Sequence, residues 1–366
     1  MHFFTRLTQW EYHPWWLANI PVYGFWLWFA ARARNLIFFS NVNPAIALGG
    51  AMGESKWDIL KLLPQEILPK TIQVAAGEDF KKVLADLEQV GMGFPLIAKP
   101  DVGERGFLVK KVDNQEVLRE YLARWPVKFI LQEFLTLPIE ASVLYHVFPG
   151  KDGTFGLSSV CIKEFLSVRG DGRSSIRQLM LQNARSAFQV PRFDREFPEV
   201  LEKIPAAGET SLLEPIGNHS RGTKFLNGNH LITPEMLAAF EPICRQISGV
   251  QYARFDLKCA SLEDLQRGEF KVMELNGILG EPAHVYDPAH GMFRAYRDLW
   301  WHWRLLFRLH LAQRKQGILP TSLGEGLRFA RGYFRYKKAF KKTSQVFETY
   351  KVSIENKKRH GTFPAP

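Results

Sequence analysis

The chain has 366 residues, 46% of them apolar. That is enough for two or three domains with cores of their own, and it excludes a disordered chain. The net charge of +11 is unevenly placed: residues 291–366 carry 17 Lys and Arg against 4 Asp and Glu, so the remainder is close to neutral, and such a tail suits an anionic partner, a membrane surface or a nucleic acid.

Three cysteines, Cys161, Cys244 and Cys259, are far apart and odd in number. They fit no disulfide or zinc framework and read as reduced thiols of a cytosolic protein. Residues 1–50 form an aromatic head. Tyr12 to Ala31 holds no Asp, Glu, Lys or Arg, and its length is near that of a spanning helix. Pro21 interrupts the run, however, and Asn19 and Gly24 dilute it. Trp15, Trp16, Tyr23, Trp26 and Trp28 give it the composition of the headgroup level rather than the bilayer centre. Two placements follow: a helix or helical hairpin in the membrane interface, or a helix packed on the same protein.

Ser55 caps a helix over Lys56 to Leu63, stopped by Pro64. Helical spacing returns from Ala75 to Gly91. Pro95 to Pro100 is a buried strand that carries Lys99, and a glycine turn leads into a strand over Gly106 to Val112. A helix spans Gln115 to Arg124. Strands follow over Phe129 to Phe134, Ala141 to Val147 and Leu157 to Phe165. Ile176 to Gln189 is helical, residues 190–230 read as irregular loop, and Pro234 to Ser248 is helical again. Two alternating strands, around Tyr252 to Asp256 and Val272 to Gly277, come next. The basic tail then opens on Trp300 to Arg308, a mixture of aromatics and arginines that suits either an interfacial helix or a helix packed back on the body. This mixed order of strands and helices points to the α+β class.

The two alternating strands carry the strongest chemical signal. Each has one polar face, with Arg254 and Asp256 on the first and Glu274 and Asn276 on the second. If they are neighbours, two carboxylates and an amide oxygen converge beside a guanidinium. Oxygen ligands of that kind suit Mg²⁺, and the arginine suits a reaction that builds negative charge. Lys99 before the glycines Gly103 and Gly106 can reach a phosphate, although a hairpin with a solvated lysine is the commoner arrangement. Gln132, Glu133, Phe134 and Leu135 form a strand passing into a connector whose backbone can read a base edge, and Glu140 can meet a ribose. Lys163 leads towards a Gly-Asp-Gly turn with Arg173. A polar cluster of Asn218, His219 and Arg221 lies in the long loop, and His284 lies just past the second strand. Each of these alone is also an ordinary solvated feature.

In order and spacing, Ser55-Lys56, Lys99-Pro100 with its glycine loop, Gln132-Glu133, Glu140, Lys163, Arg254-Phe255-Asp256 and Glu274-Leu275-Asn276 resemble the ATP-grasp superfamily, and within it the D-alanine–D-alanine ligase-like branch. The Gly-Asp-Gly-Arg-Ser-Ser-Ile turn is similar to one in cyanophycin synthetase-like members. The resemblance covers residues 51–290. It implies two α+β subdomains clasping ATP, a lid over 51–135 and a metal-binding, catalytic part over 136–290. It also implies an ATP- and Mg²⁺-dependent carboxylate–amine ligase working through an acyl phosphate. On that basis Lys56, Lys99 and Lys163 would contact phosphates and Glu133 to Leu135 the adenine. Glu140 would bind the ribose, Asp256, Glu274 and Asn276 the Mg²⁺, and Arg254 would stabilise the tetrahedral intermediate. Arg173, Asn218, His219, Arg221 and His284 are candidates for the acid and amine substrates.

Two departures stand out. Only about 50 residues precede the pattern where the family has a complete α/β domain, and the tail over 291–366 is foreign to it. Head and tail together suggest a ligase on the inner face of the cytoplasmic membrane. A small-molecule kinase, or a protein that binds membrane or nucleic acid without catalysis, are the alternatives; the tail's charge alone supports nucleic acid.

Overall fold

The computed structural model describes residues 18–338 except 104–105, 107, 126, 151–152, 215–216 and 218–220. The first residues of the head, Asn218, His219 and the end of the basic tail therefore lie outside the described residues.

Two antiparallel sheets carry the molecule, in agreement with the α+β class read from the sequence. The first contains β1 (Thr71–Val74), β2 (Leu96–Pro100), β3 (Lys110–Val112) and β4 (Phe129–Glu133), in the order β1-β4-β2-β3. Alternation divides its residues. Ile72, Val74, Leu96, Ala98, Val112 and Leu131 share one face and form a core with Val83, Leu87, Leu118 and Tyr121. Those four come from α3 (Phe80–Gln89) and α4 (Gln115–Arg124), whose N-termini are capped by the side chains of Asp79 and Asn114. The other face carries Lys99 and Gln132. The strand expected from Gly106 is shorter than the sequence suggests, because the left-handed backbone at Gly106 and Leu108 breaks the ladder before Lys110.

The second sheet contains β5 (Ile139–Val147), β6 (Phe155–Glu164), β9 (Lys224–Asn227), β10 (Tyr252–Cys259) and β11 (Lys271–Asn276), in the order β11-β10-β5-β6-β9. On its back, Val143, Tyr145, Ala253 and Phe255 pack with Met236, Phe240 and Cys244 of α5 (Pro234–Gln246). Between the halves of this sheet the chain makes an excursion. β7 (Ser167–Arg169) pairs with β8 (Thr210–Leu212), and short helices fold a small core of Leu166, Met180, Phe193 and Leu201. The single helix expected over Ile176 to Gln189 is two, Ile176–Gln182 and Ala184–Ala187, because Asn183 adopts an extended conformation and caps the second one. The stretch 190–230 is correspondingly not irregular: it holds the helices Val190–Glu196 and Pro198–Leu201 and the strands β8 and β9. Its helices are too short for a periodic signal.

The head and the start of the tail pack together on the front of this second sheet. Helix α1 (Ile20–Ala33) buries Val22, Phe29, Ala30 and Ala33. Beside them lie Leu305, Leu306, Phe307 and Leu309 of α6 (Met292–Lys315). The Phe29 and Phe307 ring centroids are 5.3 Å apart, and Phe38, fully buried, touches Trp303, Phe307 and His310. Of the two placements open in the sequence, one face of the head thus packs on the protein. The opposite stripe of α1, Ile20, Tyr23, Leu27 and Trp28, remains exposed. No helix among the described residues is long and apolar enough to cross a membrane.

Asn43 fastens the head to the sheet. It is fully buried. Its Nδ2 donates to the carbonyls of Gly49 (3.0 Å) and Tyr252 (2.8 Å), while its Oδ1 accepts from the N–H groups of Gln251 and Tyr252 (both 2.9 Å). Just beyond, the head backbone rests on the end of β11: a Cβ on Gly277 would fall 2.4 Å from the Gly49 carbonyl oxygen and 2.6 Å from the Gly50 Cα. Replacing Asn43 by Ala leaves buried backbone groups of β10 without partners, at about 1–3 kcal/mol each. Asn43→Ala is therefore expected to lower unfolding free energy by about 3 kcal/mol or more in urea titration. A change within about 0.5 kcal/mol, the range of an indifferent surface substitution, would show that the head is not fixed in this way.

Candidate functional site

Strand alternation sorts the front face of the second sheet. Tyr252, Arg254, Asp256 and Lys258 point one way, Ala253, Phe255 and Leu257 the other. Register then sets Asp256 between Glu274 of β11 and Ser142 of β5, Arg254 beside Asn276, and Glu140 between Lys258 and Lys163. The upper half of this face, at Leu144 and Tyr252, is covered by the head and α6. The lower half is left as a floor of charged groups.

Asp256 is the hub of that floor. Its Oδ1 accepts from Ser142 Oγ at 2.6 Å and Arg254 Nε at 3.0 Å; its Oδ2 accepts from Arg254 Nη2 and Asn276 Nδ2, both at 3.3 Å. Lys163 Nζ lies 2.8 Å from Glu140 Oε1 and 3.9 Å from Asp256 Oδ2. Burial by itself would raise the Asp256 carboxyl, but Arg254 and Lys163 outweigh it and hold the group well below the usual carboxylate range. Arg254 is further fixed by donating from Nη1 to the Glu281 carbonyl at 2.9 Å.

The first sheet supplies the opposite wall. Buried Lys99 donates to Gln132 Oε1 at 2.9 Å and, across the gap, to the Met273 carbonyl of β11 at 3.0 Å. Lys56 opens the short helix α2 (Lys56–Leu60). Its Nζ reaches Glu274 Oε1 at 2.5 Å and the Gly103 carbonyl at 2.9 Å. Asp101 sets this helix in place. It accepts from Ser55 Oγ on both carboxylate oxygens and from the Trp57 N–H, all at 2.9 Å, while its own carbonyl takes the Lys56 N–H at 2.8 Å. Burial works against the charge on Lys56 and Lys163. Glu274 overcomes it at the first, Asp256 and Glu140 at the second, and both lysines are raised. At Lys99 burial wins and lowers the ammonium to about 8.

Four cations, Lys56, Lys99, Lys163 and Arg254, therefore stand among the carboxylates Glu140, Asp256 and Glu274. Cations gathered in this way can meet the charge of a polyanion. Donors available to a metal ion are all oxygens, the set that hard divalent cations take. Of the three carboxylate side chains Glu274 is the most open, at 34% exposure against 14% for Asp256 and 7% for Glu140. Asn276 uses its amide nitrogen on Asp256, which reserves the amide oxygen as a further donor of this kind.

The remaining residues singled out in the sequence divide. β4 ends at Glu133, so the backbone of Phe134 and Leu135 leaves the ladder; Glu133 itself accepts from the Lys70 N–H at 3.2 Å, and Lys111 sits 5.0 Å over the Phe134 ring. Gly217 lies directly on the Glu140–Lys163 pair, since a Cβ there would come 2.2 Å from Glu140 Oε1. Arg173 is exposed in a turn tied by Asp171, and Arg221 Nη1 lies 3.6 Å from Glu214. Among the described residues, neither Arg173 nor Arg221 is hydrogen-bonded or ion-paired to the floor. His284 is buried beside Ser159, His290 and Asp298. Sequence reasoning missed Ser142, Asp101 and Glu281. Parity with Glu140 on β5 was a signal for Ser142. Asp101 had none, because its partner helix lies about 45 residues earlier.

No protein-family description matches the chain, and neither does any curated protein. Solved structures do. The chain is similar to the VanG D-Ala:D-Ser ligase from Enterococcus faecalis, with 14% identity over 68% of this chain and 61% of that one and a TM-score of 0.39. It is similar to a D-alanine–D-alanine ligase from Bacillus anthracis, with 16% identity over 72% and 68% and a TM-score of 0.38. It is also similar to a bifunctional glutathione synthetase from Pasteurella multocida, with 15% identity over 65% and 35% and a TM-score of 0.35. The chain thus spans about three-fifths of the first and about a third of the last. Likeness at this level says nothing of which reaction the residues perform.

Lys99 gives the crevice a pH dependence. It is a cation below about pH 8 and neutral above, whereas Lys56 and Lys163 keep their charge. The dissociation constant for inorganic pyrophosphate, a small polyanion, measured by calorimetry, should rise several-fold between about pH 7 and 9.5 as this charge is lost. Lys99→Arg, whose guanidinium stays protonated, should remove the trend. A flat profile in the unaltered protein would mean that Lys99 does not meet the ligand.

Proposed function

We propose that the protein is an ATP-grasp enzyme, an ATP- and Mg²⁺-dependent carboxylate–amine ligase. The observation that carries this reading is the crevice itself. Two antiparallel sheets face each other with Lys99 and Gln132 on one wall and Glu140, Lys163, Arg254, Asp256, Glu274 and Asn276 on the other. Lysines and an arginine there stand among carboxylates and an amide oxygen, and Ser142, whose Oγ donates to Asp256, is only 2% exposed. That is the equipment of phosphoryl transfer, which depends on positioning and charge neutralisation.

In this reading the connector Glu133–Leu135 takes the base with its backbone, and Glu140, held by Lys163, takes the ribose. Lys99 and Lys163 approach the phosphates from opposite walls, and Lys56 assists from the glycine turn at Gly103. Asp256, Glu274 and Asn276 hold Mg²⁺, which when bound neutralises phosphate charge. Arg254 is locked by Asp256 and the Glu281 carbonyl. Its guanidinium therefore needs no reorganisation to stabilise the oxyanion formed as an amine attacks the activated carboxyl carbon. A carboxylate oxygen of the acid attacks the γ-phosphorus of ATP and releases ADP, giving an acyl phosphate; the amine then attacks its carbonyl carbon, the C–O bond to phosphate breaks, and the amide forms with release of inorganic phosphate and a proton from the nitrogen.

The same reading places the enzyme on an anionic membrane surface. Exposed Ile20, Tyr23, Leu27 and Trp28 recur at helical spacing on the outer face of α1, Arg32 follows on the same helix, and Trp300 with Arg304 lies next to it on α6. Apolar side chains rimmed by arginines match the interface of an anionic bilayer. A membrane-associated substrate would then reach the crevice without leaving the surface.

Release of phosphate from ATP, with mass spectrometry of products across pooled acids and amines, tests the chemistry. An amide product with ADP is expected, and Asp256→Asn should reduce the rate at least about 100-fold. A phosphorylated product would make the enzyme a kinase instead. Turnover undiminished in Asp256→Asn would remove the proposed floor from the reaction. Separately, sedimentation with phosphatidylglycerol vesicles should carry down the protein, and Leu27→Asp with Trp28→Asp should release it without altering its circular dichroism. Equal sedimentation of the double variant would refute docking through α1.

A further inference from the structure

Between the loop that follows β11 and the start of α6 lies a cluster that the crevice does not use. His284 Nε2 is 3.3 Å from Asp298 Oδ2, and His290 Nε2 is 2.8 Å from the same oxygen. One ligand-type atom from each of the three residues lies within 4.8 Å of the other two. We propose that His284, His290 and Asp298 form a binding site for a transition-metal ion of the zinc class.

The argument is geometric. Ligands about 2.0–2.2 Å from a tetrahedral ion sit roughly 3.3 Å from one another. The separations to Asp298 are already close to this, so small side-chain rotations open a three-ligand site. Two imidazoles and one carboxylate are the donors such an ion favours, and they differ from the all-oxygen set of the crevice. They come from consecutive elements, the loop 280–290 and the helix α6 that it leads into, and the turn between them brings the three side chains together. His284 Nδ1 is engaged with Ser159 Oγ at 2.8 Å. That is the outer contact by which a ligating histidine is oriented and its other nitrogen kept for the metal. His290 Nδ1 meets Asn227 Nδ2 at the longer distance of 3.4 Å, and Asp298 Oδ1 accepts from Arg297 Nε at 3.1 Å. His284 is buried while Asp298 keeps 20% of its side chain exposed, which leaves solvent access for entry and for a fourth ligand. Ser159, His284 and Asp298 also have the order of a hydrolytic triad, but Ser159 is 1% exposed, and a nucleophile sealed from solvent has no substrate to attack.

The bound ion would tie α6 to the loop that carries Glu281, whose carbonyl holds Arg254. The test uses the full chain, stripped with chelator, loaded with Zn²⁺ and dialysed. Metal analysis should find about one Zn²⁺ per chain. His290→Ala and Asp298→Asn should each lower retention at least tenfold, whereas Asp256→Asn, in the crevice, should not. Zn²⁺ should raise the melting temperature of the unaltered protein and leave that of Asp298→Asn unchanged. Loading the unaltered protein with Co²⁺ should give the visible absorption of a tetrahedral nitrogen–oxygen site, a readout that stands even if a variant misfolds. No retained Zn²⁺ in the unaltered protein, equal retention in Asp298→Asn, or loss of Zn²⁺ with Asp256→Asn would each overturn the site and leave two histidines hydrogen-bonded to Asp298.

Discussion

The register of β10 between β5 and β11 is the constraint on which the rest depends. With a side-chain period of two, sliding β10 by one residue would send Arg254 and Asp256 into the back core and bring Ala253 and Phe255 to the front. The apolar set packed on α5 prevents that slip. A buried core on one face therefore guarantees a charged floor on the other. The charges in turn demand one another. Asp256 is tolerated because Arg254, Ser142 and Asn276 hydrogen-bond it and Lys163 stands close by, and a buried charge that loses such partners costs about 3–5 kcal/mol.

Covering the sheet's front is the second requirement. Leu144 and Tyr252 share the face that carries Asp256, and they need an apolar lid. The head and α6 provide it, fastened by Asn43 and by the fully buried Phe38. Because α1 is apolar on both sides, satisfying this need still leaves Ile20, Tyr23, Leu27 and Trp28 outside. A helix apolar all round belongs either to a deep core or to a lipid boundary; this one has a core on one side only. Helix α1 thereby combines structural cover with a surface that water does not favour.

The two walls of the crevice are held by unlike means. The floor is continuous sheet, fixed by ladders of backbone bonds. The opposite wall approaches through side chains, Lys99 to the Met273 carbonyl and Lys56 to Glu274. Ion pairs and single hydrogen bonds of that kind exchange readily for contacts to a ligand, so this wall can adjust where the floor cannot. The helix bearing Lys56 is aimed by Asp101 rather than by its own packing.

Local pattern was enough for the sequence to determine the strands β2, β4, β5, β10 and β11, the helices α3, α4 and α5, and the polar side chains that belong together on β10 and β11. A period of two or 3.6 residues is written in consecutive positions, and Arg254, Asp256, Glu274 and Asn276 could be named from it, whereas Lys99 and Lys163 stood out only through the order of motifs that carries the family resemblance. Tertiary structure alone decided what distance in the chain conceals. It brought Asp101 to Ser55, Ser142 to Asp256 and Asn43 to Tyr252, gathered His284, His290 and Asp298, and built a small core from residues 166–201. It also chose which face of α1 packs inward. A helix apolar all round carries no mark of its buried side, and only the shape of the neighbouring α6 and the uncovered end of the sheet could supply one.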